Sequence, residues 1–191
     1  MREMKMSPPP APREKSRIMS ASEIERTLVR LAHEIVEKND GGRNLGLVGI
    51  RRRGAPLAER LAGLIGGIEK THIDTGMLDI NFYRDDLSMR DLRPVVRPGA
   101  IGFDVAGRNI ILVDDVLYTG RTARAALEAL FDHGRPKRVQ LLVLIDRGHR
   151  ELPIEATFVG RRVSTTEREI VEVRLREVDR EEQVVLVERA A

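Results

Sequence analysis

Ten residues, Val113-Asp114-Asp115-Val116-Leu117-Tyr118-Thr119-Gly120-Arg121-Thr122, constrain this chain more than any other stretch of it. The apolar run Asn109 to Val113 reads as a buried strand, with two adjacent carboxylates at its carboxyl end. A small, hydroxylic turn follows, and then a helix, Ala123 to Phe131. In an open parallel sheet the ligand crevice lies at the carboxyl ends of the strands. A helix start there offers free backbone N–H groups and a positive dipole end, which suits a phosphate. Two carboxylates beside such a nest repel a phosphate alone. They suit a ligand that also carries neutral hydroxyls, from which a carboxylate accepts hydrogen bonds. The pattern asks for a sugar phosphate. The plain alternative is a capped helix with solvated acids. It explains one Asp at a strand end better than a pair followed by Thr119-Gly120-Arg121-Thr122.

At 191 residues the chain accommodates one α/β domain and is too short for two comfortable ones. Apolar residues at 41% support a core, and 33% charged residues argue against a membrane protein. No run approaches the ~20 apolar residues of a transmembrane helix. The amino terminus has no apolar stretch of signal-peptide type, and the absence of cysteine excludes disulfides, so a cytoplasmic location is expected. Aromatic residues at 3%, with no Trp, make base stacking on an aromatic platform a poor expectation. The formal net charge of +3 resides in residues 1–17, through Arg2, Lys5, Arg13, Lys15 and Arg17 against Glu3 and Glu14. Residues beyond them are formally neutral. Any nucleic-acid footprint must therefore come from a local patch.

Ser7-Pro8-Pro9-Pro10-Ala11-Pro12 cannot sustain a helix, and residues 1–17 read as a disordered, basic, Pro-rich tail preceding one domain, 18–191. Ser20 with Glu23 makes a capping box that opens a helix to about Lys38, with Ile24, Leu28, Leu31 and Ile35 on its buried face. Leu45 to Ile50 is a short strand, followed by Arg51-Arg52-Arg53-Gly54 and a helix begun by Pro56. Thr71 to Tyr83 contains a further strand, and residues 84–107 form a long connection rich in charge, Pro and Gly. After the key strand and helix come the strongest strand, Val139 to Ile145, and short strands at Ala156 to Val159, Ile170 to Leu175 and Val184 to Val187. Strands alternating with helices predict an α/β fold, a mainly parallel central sheet flanked by helices.

Three further segments carry chemistry. The Gly49-Ile50-Arg51-Arg52-Arg53-Gly54 turn ends the first core strand, in a position to face the same crevice as Asp114. Its Arg side chains and amides suit a pyrophosphate, although a solvated basic turn is the alternative. Asp79 to Leu87 leads into the long connection and reads equally as a strand with a solvated charged turn. Asp146-Arg147-Gly148-His149-Arg150 follows the strongest strand. No Ser or Cys nucleophile stands nearby in a recognisable elbow, which excludes hydrolase chemistry, and a lone surface His is more often structural or solvated.

Val113 to Thr122 resembles the 5-phosphoribosyl-1-pyrophosphate (PRPP) loop of type I phosphoribosyltransferases. With Leu78-Asp79-Ile80, Phe82 to Leu87, Gly134-Arg135-Pro136 and Asp146 to Pro153, the resemblance narrows to the PyrR family, over about residues 20–187. These are bifunctional pyrimidine operon regulators and uracil phosphoribosyltransferases. The resemblance implies the type I phosphoribosyltransferase fold with a small hood. It also implies conversion of uracil and PRPP to UMP and pyrophosphate, with Mg2+ carried by PRPP. A homodimer or higher homo-oligomer, and pyrimidine-responsive binding of operon leader RNA for transcription attenuation, are further expectations. On this basis Asp114 and Asp115 bind the ribose hydroxyls and Tyr118 to Thr122 hold the 5′-phosphate. Arg52 and Arg53 take the pyrophosphate, and Arg84 is delivered by a closing loop. Ile170 and Val171 cover uracil in a hood made by the carboxyl-terminal third, though both also suit ordinary core positions. RNA binding falls to Arg30, His33, His149 and Arg150.

The chain departs from the family pattern at named positions. Arg52 stands where a Thr commonly precedes the Arg-Gly of the pyrophosphate loop, which keeps the charge logic. Val29 replaces a hydroxylic residue and Glu155 a basic one on the expected RNA face. An acid there repels phosphate. Arg30 and His33 also fit the polar side of an amphipathic helix. Two other functions remain open: an RNA-binding attenuator whose PRPP site senses nucleotides, and a phosphoribosyltransferase for another nucleobase, a purine included.

Overall fold

The computed structural model describes residues 13–80 and 101–188. A five-stranded parallel sheet forms its centre, in the order β3-β2-β4-β5-β6. These strands are β2 (Leu45–Ile50), β3 (Asp74–Leu78), β4 (Asn109–Leu117), β5 (Arg138–Asp146) and β6 (Phe158–Arg162). Side chains of a strand alternate between faces, and the apolar runs of β2, β4 and β5 are buried on both. Leu47, Ile111, Val113, Leu142 and Leu144 point to one side, where α1 (Ala21–Lys38) and α2 (Gly54–Glu69) lie. Val48, Ile110, Leu112, Leu141 and Val143 point to the other, under α3 (Arg121–Phe131). Continuous apolar strands are what a sheet covered on both faces requires.

The first helix starts where local chemistry predicts. Glu23 accepts hydrogen bonds from the Ser20 amide at 2.8 Å and the Ser20 hydroxyl at 2.9 Å, and this holds its carboxyl down at about 2. Ile24, Leu28, Leu31 and Ile35 are at most 2% exposed. Each such side chain contributes about 1.5–3 kcal/mol by burial, against about 0–1 kcal/mol for an exposed ion pair. Packing therefore fixes α1 more firmly than its surface charges do.

The second sheet is antiparallel, in the order β1-β8-β7, from β1 (Arg13–Ser20), β7 (Glu169–Arg174) and β8 (Gln183–Glu188). A short helix, α4 (Arg176–Asp179), joins β7 to β8. Residues 13–17 are thus the start of an edge strand, which corrects their assignment to a disordered tail; residues 1–12 lie outside the described residues. The hood is accordingly built from both ends of the chain. Lys15 reaches Glu169 across this sheet at 2.6 Å, and Met19, Val171, Val173, Leu175 and Val184 enter the buried cluster shared with α1 and α2. No helix among the described residues is long and apolar enough to cross a membrane.

Candidate active site

The register of the parallel sheet opens the crevice. β2 pairs with β4 as far as Gly49 opposite Val113, whereas β4 continues beside β5 to Leu117 opposite Asp146. Asp114 and Asp115 therefore emerge where β4 loses its β2 neighbour. The strand extends beyond the predicted Val113 because pairing with β5 persists there. Each carboxylate accepts the next amide: Asp115 N–H donates to Asp114 Oδ1 and Val116 N–H to Asp115 Oδ1, both at 2.9 Å. Asp114 is 8% exposed. Burial pushes the Asp115 carboxyl above its ordinary value, while contact with Asp114 and the Arg53 charge pull the other way.

The first helix turn of α2 closes one wall. A Cβ on Gly54 would lie 2.2 Å from the Val113 carbonyl oxygen, so only glycine lets α2 start against the end of β4. The helix begins at Gly54, two residues ahead of the expected Pro56, which falls within the first turn where its missing N–H has no partner to lose. The Arg51–Arg52 peptide is cis. The three arginines of this turn are not equivalent. Arg51 pairs with Asp79 at 2.9 Å, and Arg53 grips Asp179 of α4 through Nε at 3.0 Å and Nη2 at 2.7 Å. Arg52 is exposed and makes no hydrogen bond or ion pair with the described residues. Together Arg51, Arg52, Arg53, Asp79, Asp114, Asp115 and Thr122 line a cavity of about 560 Å³. Arg84 lies outside the described residues.

On the far side of the dyad the turn Tyr118 to Gly120 leads into α3, whose first-turn N–H groups have no partner within the helix; the Arg121 N–H donates to the Thr119 hydroxyl at 3.4 Å, and Thr122 lines the cavity. Gly120 has φ of +93°, a left-handed conformation that glycine adopts without strain. The segment after β5 holds this turn from behind. Glu151 and Leu152 N–H donate to the Thr119 carbonyl at 2.9 and 3.1 Å, and Arg121 pairs with Glu151 at 2.7 Å. The Arg147 guanidinium lies 4.1 Å from the Tyr118 ring centroid and donates to the Glu169 carbonyl, tying the turn to β7. A buried arginine at that position carried no signal in the sequence beyond its place after a strand.

The residues expected on an RNA face fall around β6, the edge strand of the parallel sheet. Arg30 donates to the Gly160 carbonyl at 2.6 Å and pairs with Glu34 at 2.5 Å, and His33 is exposed on the same helix. His149, with φ of +58°, bonds the Thr165 carbonyl through Nε2 at 2.7 Å. Arg150 spends four guanidinium N–H groups on Ile154, Tyr118 and Gly148 carbonyls and on Asp146. It is thereby built into the wall behind the Tyr118 turn. Ile170 and Val171 do not share a face of β7. Val171, 6% exposed, enters the core, and Ile170 points the other way.

The phosphoribosyl transferase domain family matches residues 15–177. The bifunctional protein PyrR of Pelotomaculum thermopropionicum is 59% identical over 178 residues, 93% of this chain and 98% of that protein. The bifunctional protein PyrR of Thermus thermophilus is 57% identical over 175 residues, 92% of this chain and 97% of the relative. Among solved structures, a hypoxanthine phosphoribosyltransferase of Trypanosoma cruzi superposes with a TM-score of 0.70 at 16% identity, covering 92% of this chain and 98% of that one. One from Staphylococcus aureus gives a TM-score of 0.69 at 20% identity, covering 92% of each chain. At that identity the likeness establishes the fold.

Proposed function

This chain belongs to the phosphoribosyl transferase domain family and, within it, to the PyrR proteins, and from that premise we propose that it transfers the phosphoribosyl group of PRPP to uracil, giving UMP and pyrophosphate. One observation carries the reading: the acidic pair, the arginine turn and Thr122 of α3 line a single cavity at the carboxyl ends of β2 and β4. The bond from the anomeric carbon to the pyrophosphate oxygen breaks, a bond to a uracil nitrogen forms, and that nitrogen loses its proton. Charge builds on the sugar as the leaving group departs, so alignment and electrostatic support matter more than a strong base.

Asp114 and Asp115 accept the ribose hydroxyls and face the developing positive charge. The Val113 to Thr122 segment forms the PRPP site, with the Tyr118 to Thr122 amides and hydroxyls on the 5′-phosphate. Arg52 is the cation most available to the pyrophosphate; Arg53 and Arg84 add to it. The carboxylates of Asp114 and Asp115 are oxygen donors of the kind Mg2+ takes, and they would hold such an ion together with oxygens of PRPP. When bound, it offsets pyrophosphate charge. Ile170 covers the uracil ring, and Val171 contributes backbone. The protein acts in the cytoplasm as a homodimer or larger homo-oligomer.

A second role, pyrimidine-responsive binding of operon leader RNA, is supported by Arg30, held on the Gly160 carbonyl of β6, and by the exposed His33 of the same helix; His149 and Arg150 border the far end of β6, where Arg150 serves to hold the Tyr118 turn. Glu155 borders the same surface beside His149, Arg150 and Arg162.

The catalytic reading is tested by Asp115→Asn. Asn keeps the side-chain size and the oxygen that accepts the Val116 amide, so the variant folds normally, and UMP formation falls about 100-fold, as for loss of one preorganised electrostatic contact. A folded variant that makes UMP at the parent rate removes Asp115 from the chemistry.

A further inference from the structure

The Arg53 guanidinium is held from outside the pyrophosphate turn. Asp179 binds it side-on through Nε and Nη2, and the same carboxylate is itself fixed, accepting the Leu175 amide at 2.9 Å through Oδ2. Two helical turns further along α2, Arg60 grips Glu177 at 2.6 Å and Glu182 at 2.6 Å. The loop between β7 and β8 is therefore docked on one stripe of α2 by two arginines and three carboxylates. Arg53 is bonded to Asp179 on the hood side and lines the same cavity as Asp115 of the dyad, and both charges favour its cationic form. A guanidinium has five N–H donors in a rigid fork. A side-on carboxylate takes two of them and leaves the rest to the cavity that Arg53 lines.

We propose that Asp179 is a positioning residue for phosphoribosyl transfer, holding Arg53 in the orientation that presents its remaining N–H groups to the pyrophosphate of PRPP and keeps it from collapsing onto Asp115. This inference rests on the phosphoribosyl-transfer reading above. It ties the hood to the pyrophosphate turn through one side chain. A substrate that fits the hood thus meets a leaving-group site already aligned.

The test is a double-mutant cycle in steady-state UMP synthesis. Asp179→Asn keeps the side-chain size and an acceptor for the Leu175 amide, so its melting stays close to the parent. Loss of one charge-assisted bond raises the KM for PRPP about tenfold, with the KM for uracil unchanged. In an Arg53→Ala background the same substitution has no further effect, because the group it positions is gone. Asp179→Glu, which keeps the charge, raises the KM for PRPP less than Asp179→Asn does. Additive effects, a rise confined to the KM for uracil, or a larger loss in Asp179→Glu would each overturn the inference. A parent chain that forms no nucleotide from PRPP overturns the reading beneath it, whereas an active parent with any contrary result overturns this inference alone.

Discussion

Asp115 sits in an environment that works against its own charge. Burial raises its pKa, and the Arg53 charge is one of the groups that restrain the rise. The ionised form is the one that supports a cationic sugar, so activity falls as pH drops through that raised value. Replacing Arg53 with Ala removes the restraint and pushes the Asp115 pKa further up. The acid limb of kcat/KM, which reports free-enzyme ionisations, is therefore expected at higher pH in Arg53→Ala than in the parent. A limb that stays in place or moves to lower pH would show that Asp115 is not the group being titrated. The family resemblance singled out Arg52 and Arg53, but which arginines of this turn would be paired was not legible in the sequence: among the described residues Arg52 is not, whereas Arg51 and Arg53 are. Their partners, Asp79 and Asp179, lie 28 and 126 positions away.

The elements meet at a contact with no slack. Gly54 begins α2 against the Val113 carbonyl, and a methyl group there requires the helix start or the end of β4 to move. Gly54→Ala is expected to cost about 1–3 kcal/mol, the usual range for overpacking. The melting temperature should fall by several degrees, and PRPP binding should weaken with it. An unchanged melt would mean that this junction yields freely. Local signals made most elements legible: the Ser20–Glu23 cap, the apolar runs of β2, β4 and β5, and the turn at Thr119-Gly120. β1 was hidden because its residues 13–17 are charged and exposed, and its partner strand is β8, at the other end of the chain. Strand pairing over that separation leaves no period in the sequence. Val171 and Ile170 were indistinguishable for a related reason. Alternation places neighbours on opposite faces, and only the packing against α1 and α2 sets which of them is buried. Arg150 reads as a surface cation until the carbonyls of Tyr118, Gly148 and Ile154 are seen to converge on it.

The whole molecule places its two proposed activities on different surfaces. The crevice lies over β2 and β4, in the middle of the sheet, whereas the proposed RNA face follows the edge strand β6. Arg150 serves both, since it also holds the Tyr118 carbonyl, but Glu155 borders the edge and does not line the crevice, so a change at Glu155 should leave nucleotide synthesis alone. Glu155→Arg is expected to tighten binding to pyrimidine-operon leader RNA and to steepen its salt dependence by about one unit of slope, one phosphate contact being gained. Titration across a salt series, with an unrelated hairpin as control, checks this; unchanged or weaker binding would separate Glu155 from the RNA surface. The central claim concerns the crevice, and its fold is shared with enzymes that act on a purine, so the nucleobase is the discriminating variable. Incubating the intact protein with PRPP, Mg2+ and each nucleobase in turn, and measuring nucleotide and pyrophosphate together, tests it most directly. Uracil should yield UMP and pyrophosphate in equal amounts, with hypoxanthine and guanine left unconverted. Purine nucleotide formation, or no nucleotide with uracil, would contradict the account.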